Sequence, residues 1–416
     1  MKKLYSFIII QFVILILASG AYAQEDTLTK EDLAFLDKLQ KDTCQYFLEE
    51  IDKKSGLVKD SSRSASPCSI AGVGFQLSAL CIADYRKWID RRDSYKMALK
   101  ILKTCKRKVE GNKGFFYHFV DVRTGKRVWR SELSSIDTAL FLAGALFAGE
   151  YFGKEVKKLS LKLYEKVDWE WMLNNSNYLC MGWKPESGFL RSYWDSYSEL
   201  MILYALAIGA PKNQIDPSLW FKWLRHQGSY KDSSYVYCGT GSLFVYQFSH
   251  AWIDFRKIKD PKTNWWENSV KATEANRQFC IDMSSEFKTF GPNCWGISAS
   301  LGPNGYKGYG GQKAYYPVFD GTIAPYAVAG SLPFLPKKCI AALRYMYDNY
   351  QDKIYWKYGF KGAFNLDKNW FASESLAIDQ GIMLLMIENF RSGLVWNYFM
   401  KLSCIKKWKE SVERSK

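Results

Sequence analysis

The side chains in this chain best suited to chemistry are carboxylates, and they stand at the entrances of apolar stretches. Asp137 follows Ser134-Ser135, Asp195 and Glu199 lie in YWDSYSELMILYALAIG, and Asp320 lies in YYPVFDGTIAPYAVAG. Glu374 and Asp379 stand in WFASESLAIDQGIMLLMIEN, with Glu388 one helix-length further on. Histidine is scarce: His118, His226 and His250 are the only three and none sits in an HExxH spacing, so no metal or other cofactor is expected. There is no GxSxG elbow and no GxxxxGK[ST] loop, which removes the common nucleophile and phosphate-cradle chemistries. Acid/base work therefore falls to the acids. Asp195 and Glu199, four apart, share a face if helical; repulsion and burial would raise one pKa and make a proton donor. A donor and a separate carboxylate base are the parts that break a glycosidic bond, and their separation fixes inversion or retention. An acid in a first helical turn also caps N–H groups and favours the helix dipole, and each of these acids taken singly has that structural reading.

Aromatic residues crowd the same loops: Tyr193-Trp194, Trp295, Tyr315-Tyr316 and Trp370 among them, in a chain that is 17% Phe, Trp and Tyr. Flat rings with a polar edge suit sugar faces, although a Trp-rich core claims part of the set. The ten cysteines are spread singly without a CxxC pair, and most read as small buried hydrophobes, with one or two disulfides as the alternative.

The elements that must position these residues are helical. Apolar residues at three-four spacing give helices over about 29–52, 70–89, 94–109, 135–152, 154–173, 192–208, 217–226, 241–255, 263–287, 322–332, 337–350, 376–388 and 390–408, with hardly a strand. Stretches such as IDTALFLAGALFA, LMILYALAI and IDQGIMLLMI are apolar on every face, whereas 154–166 and 337–348 carry charge on one side. All-round apolar helices must be enclosed by others. The pattern predicts an all-α fold, an α/α barrel or toroid of helical hairpins in one domain over 24–416, whose inner-helix entrances gather the acids at one mouth. Residues 1–23 read as a cleaved signal peptide: Lys2 and Lys3, an apolar run from Phe7 to Leu17, and Ala21-Tyr22-Ala23 before Gln24. The expectation is a periplasmic or secreted monomer without stable membrane insertion. A net charge of +16 is strongly basic, but an exported protein makes nucleic acid an unsuitable partner.

SYSELMILYALAIGAP, the stretch from NCWGISAS through PNGY to YYPVFDGTIAPYAVAGSLPFLP, and SLAIDQGIMLLMIENFRSGLVWNYFM resemble the glucoamylase-like domain of bacterial β-1,2-glucanases, glycoside hydrolase family 144. The resemblance implies an (α/α)6 barrel that hydrolyses β-1,2-glucan or its oligosaccharides without metal and with inversion. By motif it points to Glu199 in SYSEL, Asp379 in LAIDQG and Asp137 in SSIDTAL as the catalytic carboxylates, leaving open which is acid and which base. The working assignment takes Glu199 as donor and Asp379 as base, with Asp137 and Asp195 orienting sugar hydroxyls. Tyr193, Trp194, Trp295, Tyr316, Asp320, Trp370, Glu374 and Glu388 complete the expected substrate contacts. The basic charge leaves room for a polysaccharide lyase or a non-catalytic binding protein for an acidic glycan on the same barrel.

Overall fold

The computed structural model describes residues 28–311 and 317–414; the expected signal peptide and Tyr316 lie outside the described residues. Helix α1 (Lys30–Glu49) opens behind Thr29, whose hydroxyl accepts from the Asp32 N–H while the Asp32 carboxylate accepts from the Thr29 N–H. Helix α2 (Ile70–Tyr85) is buried at every position except Tyr85, and α3 (Arg91–Arg107) buries one face and turns its lysines and arginines outward. The alternation continues with α4 (Ser135–Phe152), which is largely buried, and the amphipathic α5 (Lys154–Tyr164). The short α6 (Trp169–Leu173) precedes α7 (Met201–Gly209), which is buried throughout. Then come α8 (Trp265–Asp282), the fully buried α9 (Pro325–Gly330), α10 (Pro336–Ile354) and α11 (Ala377–Arg391). Helices α12 (Leu394–Phe399) and α13 (Ser403–Arg414) end the described chain, with α13 packed on α7.

Two of the expected helices, 217–226 and 241–255, form short 3-10 segments instead: Pro217–Phe221, Leu243–Tyr246, Ser249–Ala251 and Phe255–Lys257. Their backbone donors find partners outside the segment. Leu243 N–H bonds to Ile297 O and Phe244 N–H to the Ser298 hydroxyl, so an α-helical ladder is not required there. Around the 121–126 turn Val120 bridges Arg127, while Phe119–Val120 pairs with Cys68–Ser69.

Helices α2, α4, α7, the 3-10 pair 243–251, α9 and α11 form an inner ring, and the amphipathic helices lie outside it, giving the (α/α)6 barrel. Helix α2 packs against both α4 and α11, α9 packs on α11, and the Ser249 hydroxyl accepts from Ile202 N–H to join the 3-10 pair to α7. All ten cysteines are free and buried, as read from their scatter. Among the described residues no helix is long and apolar enough to cross a membrane.

The barrel is a pocket and not a channel because its centre is filled. Phe75 of α2 lies 5.0 Å from the Trp252 ring and 5.7 Å from the Phe248 ring, and Trp252 Nε1 donates to the Ser78 hydroxyl at 3.1 Å. Helices α2 and α4 touch backbone to backbone: a Cβ on Gly144 would stand 1.9 Å from Gly74 O. No side chain can move to accommodate it. Gly144→Ala should therefore destabilise the fold by about 1–3 kcal/mol or more through overpacking, a drop that chemical denaturation would measure. An alanine variant as stable as wild type would show that the ring yields where we say it cannot.

Candidate active site

A cavity of about 820 Å³ opens at the mouth where the inner helices begin. Its lining carries four acids, Asp60, Asp137, Glu199 and Glu374, with His118 and Arg63 between them. Each is placed by a helix entrance or by a strap tied to one. The 60–67 loop is bound to the segment before α11 through Ala377 N–H to Asp60 O (2.7 Å) and Ser62 N–H to Ser375 O (3.0 Å), which sets Asp60 and Arg63 over the mouth. Arg63 is ion-paired with Glu374 there. Asp137 occupies the first turn of α4, where the Ser134 side chain accepts from its N–H at 3.2 Å and donates to its carboxylate. The positive end of the helix supports that acid.

Glu199 stands just before α7, and its carbonyl accepts from the Ser249 hydroxyl at 2.9 Å. Burial, and then the neighbouring Asp137, push its carboxyl up to about 7 against the pull of a backbone hydrogen bond. Burial also pushes Asp60 up to about 6, with Asp137 and Glu374 adding to it and His118 opposing. His118 is held by its Nδ1 against Glu132 Oε1 (3.0 Å) and turns Nε2 toward Asp137 Oδ1 (3.6 Å). Burial alone would lower its pKa, but Asp137, Glu132 and Asp60 outweigh it and raise it to about 9, so it is a cation at neutral pH.

Asp379, in the first turn of α11, lies behind this lining rather than on it. It is 1% exposed, and neither carboxylate oxygen has a hydrogen-bond partner. Burial and then Asp60 hold its carboxyl well above the ordinary range. It packs beside Gly362, where an added Cβ would sit 3.7 Å from Oδ2 and 3.2 Å from Leu301 Cδ1. Leu301 and Tyr306 belong to a tight hairpin, Ser300–Lys307, closed by Gly302 N–H to Gly305 O (2.9 Å) and the reverse bond (3.0 Å). Gly305 has φ +87°, a conformation that favours glycine. This hairpin roofs the acids. The Tyr306 hydroxyl is held protonated by burial and by Asp379, Asp60, Glu199 and Asp137 around it.

The structure thus brings Asp137, Glu199 and Glu374 together and sets Asp379 beside them. The other expected contacts among the described residues do not line the cavity. Asp195 is exposed, because residues 195–199 are not helical: Leu224 N–H bonds to Asp195 O and Tyr197 N–H to Leu224 O, a bridge at Ser196 that is followed by a turn. The two acids of that motif therefore do not share a helix face. Trp194 is buried and donates Nε1–H to the Ser135 hydroxyl (2.9 Å), Trp295 is wholly buried, and Tyr193 accepts from Asn174 Nδ2 (3.0 Å). Trp370 sits in a two-residue strand pair with 364–365. Asp320 is spent on Lys368 (2.9 Å), Thr322 and Tyr309. Glu388 lies at the opposite end of α11, fully buried, bound by Arg86 through Nε (2.8 Å) and Nη2 (3.0 Å) and by Gln40 (2.7 Å).

Asp60, His118 and Arg63 were not singled out by the sequence reading. The signal for Asp60 was present: it precedes the all-apolar α2 just as the chosen acids precede their helices. The nine residues between Asp60 and the helix hid the relation.

An α/α barrel whose mouth holds several carboxylates in unlike environments has the parts that cleavage of a glycosidic bond requires. Residues 191–403, just over half of the chain, match the Glycoamylase family, described as glucoamylase, and the chain belongs to that family. It is 28% identical to an exo β-1,2-glucooligosaccharide sophorohydrolase (non-reducing end) of Parabacteroides distasonis over 92% of this chain; it spans 58% of that curated relative's length. Among solved structures, an endo-β-1,2-glucanase of Chitinophaga pinensis, in complex with sophorotriose and glucose, superposes with TM-score 0.86 at 26% identity, covering 93% of this chain and 98% of that one. A β-1,2-glucanase of Parabacteroides distasonis gives TM-score 0.87 at 26% identity, covering 93% of this chain and 60% of that one.

Proposed function

We propose that this chain is an exported glycoside hydrolase that cleaves β-1,2-linked glucan or its oligosaccharides with inversion, Glu199 acting as proton donor and Asp379 as base. The observation that carries the reading is Glu199 itself: a carboxyl pushed up to about 7 by burial, facing an acid-lined cavity large enough for several sugar rings. Such a group holds its proton up to about pH 7, well beyond an ordinary carboxyl, and can give it to a leaving oxygen. The relatives named for β-1,2-glucan support the linkage. Export rests on the leader-like residues 1–23.

The two unpartnered oxygens of Asp379 support its role. A buried carboxyl that makes no hydrogen bond costs stability, so it is not there to hold the fold. Water or a sugar hydroxyl placed beside it supplies the missing bonds and favours the anion, which is the form a base requires. Asp137, between His118 and Ser134, is positioned to orient a sugar hydroxyl.

The cavity's own charge favours a neutral glycan over an acidic one. Even with Glu199 protonated, the other three lining acids, Asp60, Asp137 and Glu374, outnumber His118 and Arg63, so a uronate chain would meet net repulsion. The test is incubation with linear β-1,2-, β-1,3-, β-1,4- and α-1,4-glucans, reading products by size and the first-formed anomer by NMR. Short β-1,2-linked products of inverted configuration are expected. An unsaturated product would mean a lyase, and binding without new reducing ends a non-catalytic protein.

A further inference from the structure

Two aromatic side chains lining the mouth are exposed, Tyr306 at 53% and Trp129 further still. Trp129 is 69% exposed, and it lines the acid cavity. It also lines a second groove, of about 420 Å³, on the far side of the rim Ala65–Pro67. These four residues are common to both concavities, so the two are adjoining parts of one cleft with Trp129 on the divide. The outer groove carries Lys59, Asp121 and Arg123, hydrogen-bonding groups of both signs.

The backbone holds the ring there at a cost. Trp129 and Arg130 have φ +55° and +51°, two consecutive non-glycine residues in the left-handed region. The turn is pinned on both sides by Val128 N–H to Phe119 O (3.1 Å), Ser131 N–H to Val128 O (3.1 Å) and the Ser131 hydroxyl to Phe119 O (3.1 Å). Beneath it the Trp129 ring leans on Phe119 at 5.0 Å, and Phe119 stacks on His118 at 4.0 Å with an interplanar angle of 16°. A rigid aromatic ladder thus runs from the acid cluster to the surface, and its outermost ring is open to solvent. Strain retained to display a large apolar ring beside a catalytic cavity calls for a ligand with a flat apolar face and a hydroxylated rim.

We propose that Trp129 is the stacking platform of an outer sugar subsite, which carries a glycan chain out of the acid-lined cavity, over the Ala65–Pro67 rim and into the neighbouring groove. The proposal rests on the glycan reading above and adds to it that the enzyme prefers chains long enough to reach this ring. The scissile bond lies at Glu199, so the subsite contributes to holding substrate and not to the chemical step.

The experiment compares wild type, Trp129→Ala and Trp129→Phe on a size-graded series of β-1,2-gluco-oligosaccharides, with kcat and KM read separately and binding followed by intrinsic fluorescence. Alanine keeps the β-carbon and hence the same backbone demand, so the substitution removes the ring alone. With long chains KM should rise about three- to tenfold in Trp129→Ala with little change in kcat, the worth of one aromatic stacking contact. Short chains should be unaffected, and Trp129→Phe should recover most of the loss. Equal loss on short and long chains, or none on either, overturns the proposal. If wild type hydrolyses none of the series, the function reading fails instead. Fluorescence then decides the subsite: length-dependent binding lost in Trp129→Ala sustains it, and no such binding overturns it.

Discussion

Glu199→Gln should lower kcat by about a hundred- to ten-thousand-fold, the usual worth of a positioned general acid, while the protein folds normally. Glutamine keeps the shape and the hydrogen-bonding capacity but has no proton to give. In wild type the alkaline limb of the pH–rate profile should fall near pH 7, where Glu199 loses its proton. The same substitution makes a prediction about stability whose sign is fixed by linkage. The carboxyl is raised in the folded state from an ordinary 4.5 to about 7, so its stabilising balance is intact below about 4.5 and is lost as pH rises through about 7. Glu199→Gln lacks that loss. The variant should match wild type near pH 4 and exceed it by about 1–3 kcal/mol near pH 8, a range reduced for the group's partial exposure to the cavity. Melting curves at the two pH values beside the kinetics check both halves. A folded variant that keeps more than about a tenth of the wild-type rate removes Glu199 from the donor role.

The fold was legible because burial writes itself into periodicity. Helices apolar on all faces, such as α4 and α7, must be enclosed, and amphipathic ones such as α3 must enclose; that alternation specifies two concentric rings. The same logic brings Asp137, Glu199 and Glu374 to one mouth, since each stands at the entrance of an enclosed helix. What could not be read is whatever a loop decides. Asp195 was paired with Glu199 on an assumed helix face, but hydrogen bonds to Leu224, distant in sequence, hold the segment in a bridge and turn and leave Asp195 exposed. Trp194 and Trp295 sit in loops by sequence and in the core by structure: the Trp194 indole N–H is satisfied by Ser135, and Trp295 is buried with its indole N–H unpaired. Glu388 shares a helix with Asp379, and a helix has two ends; its partners Arg86 and Gln40 are at the closed one. His118 is invisible to histidine counting, since it acquires its charge from Asp137, Glu132 and Asp60 assembled around it.

Asp379→Asn should also reduce kcat by about a hundred- to ten-thousand-fold, and without loss of stability. The second clause separates catalysis from structure. A carboxyl that held the fold would be bonded, as Glu388 is by Arg86, Gln40 and Ser392, and removing it would cost stability; Asp379 is equally buried and has no bond to lose. Burial and Asp60 hold its pKa well above the ordinary 3.8 in the folded protein, so wild type loses stability to this group as pH rises from about 4 toward neutrality, and the asparagine variant does not. The variant should therefore be at least as stable as wild type at pH 7 and slower by orders of magnitude. Asp379→Ala opens space at the same place, and formate added to it should restore part of the rate if a carboxylate there activates water. The rival base is Asp137, which faces the open cavity and the His118 cation. If Asp379→Asn keeps more than about a tenth of the wild-type rate and Asp137→Asn does not, the base is Asp137. Asp379 would then be a buried acid with no part in the proton transfer. If both variants fail and formate rescues only the Asp379 position, Asp137 orients the sugar and Asp379 takes the proton from water.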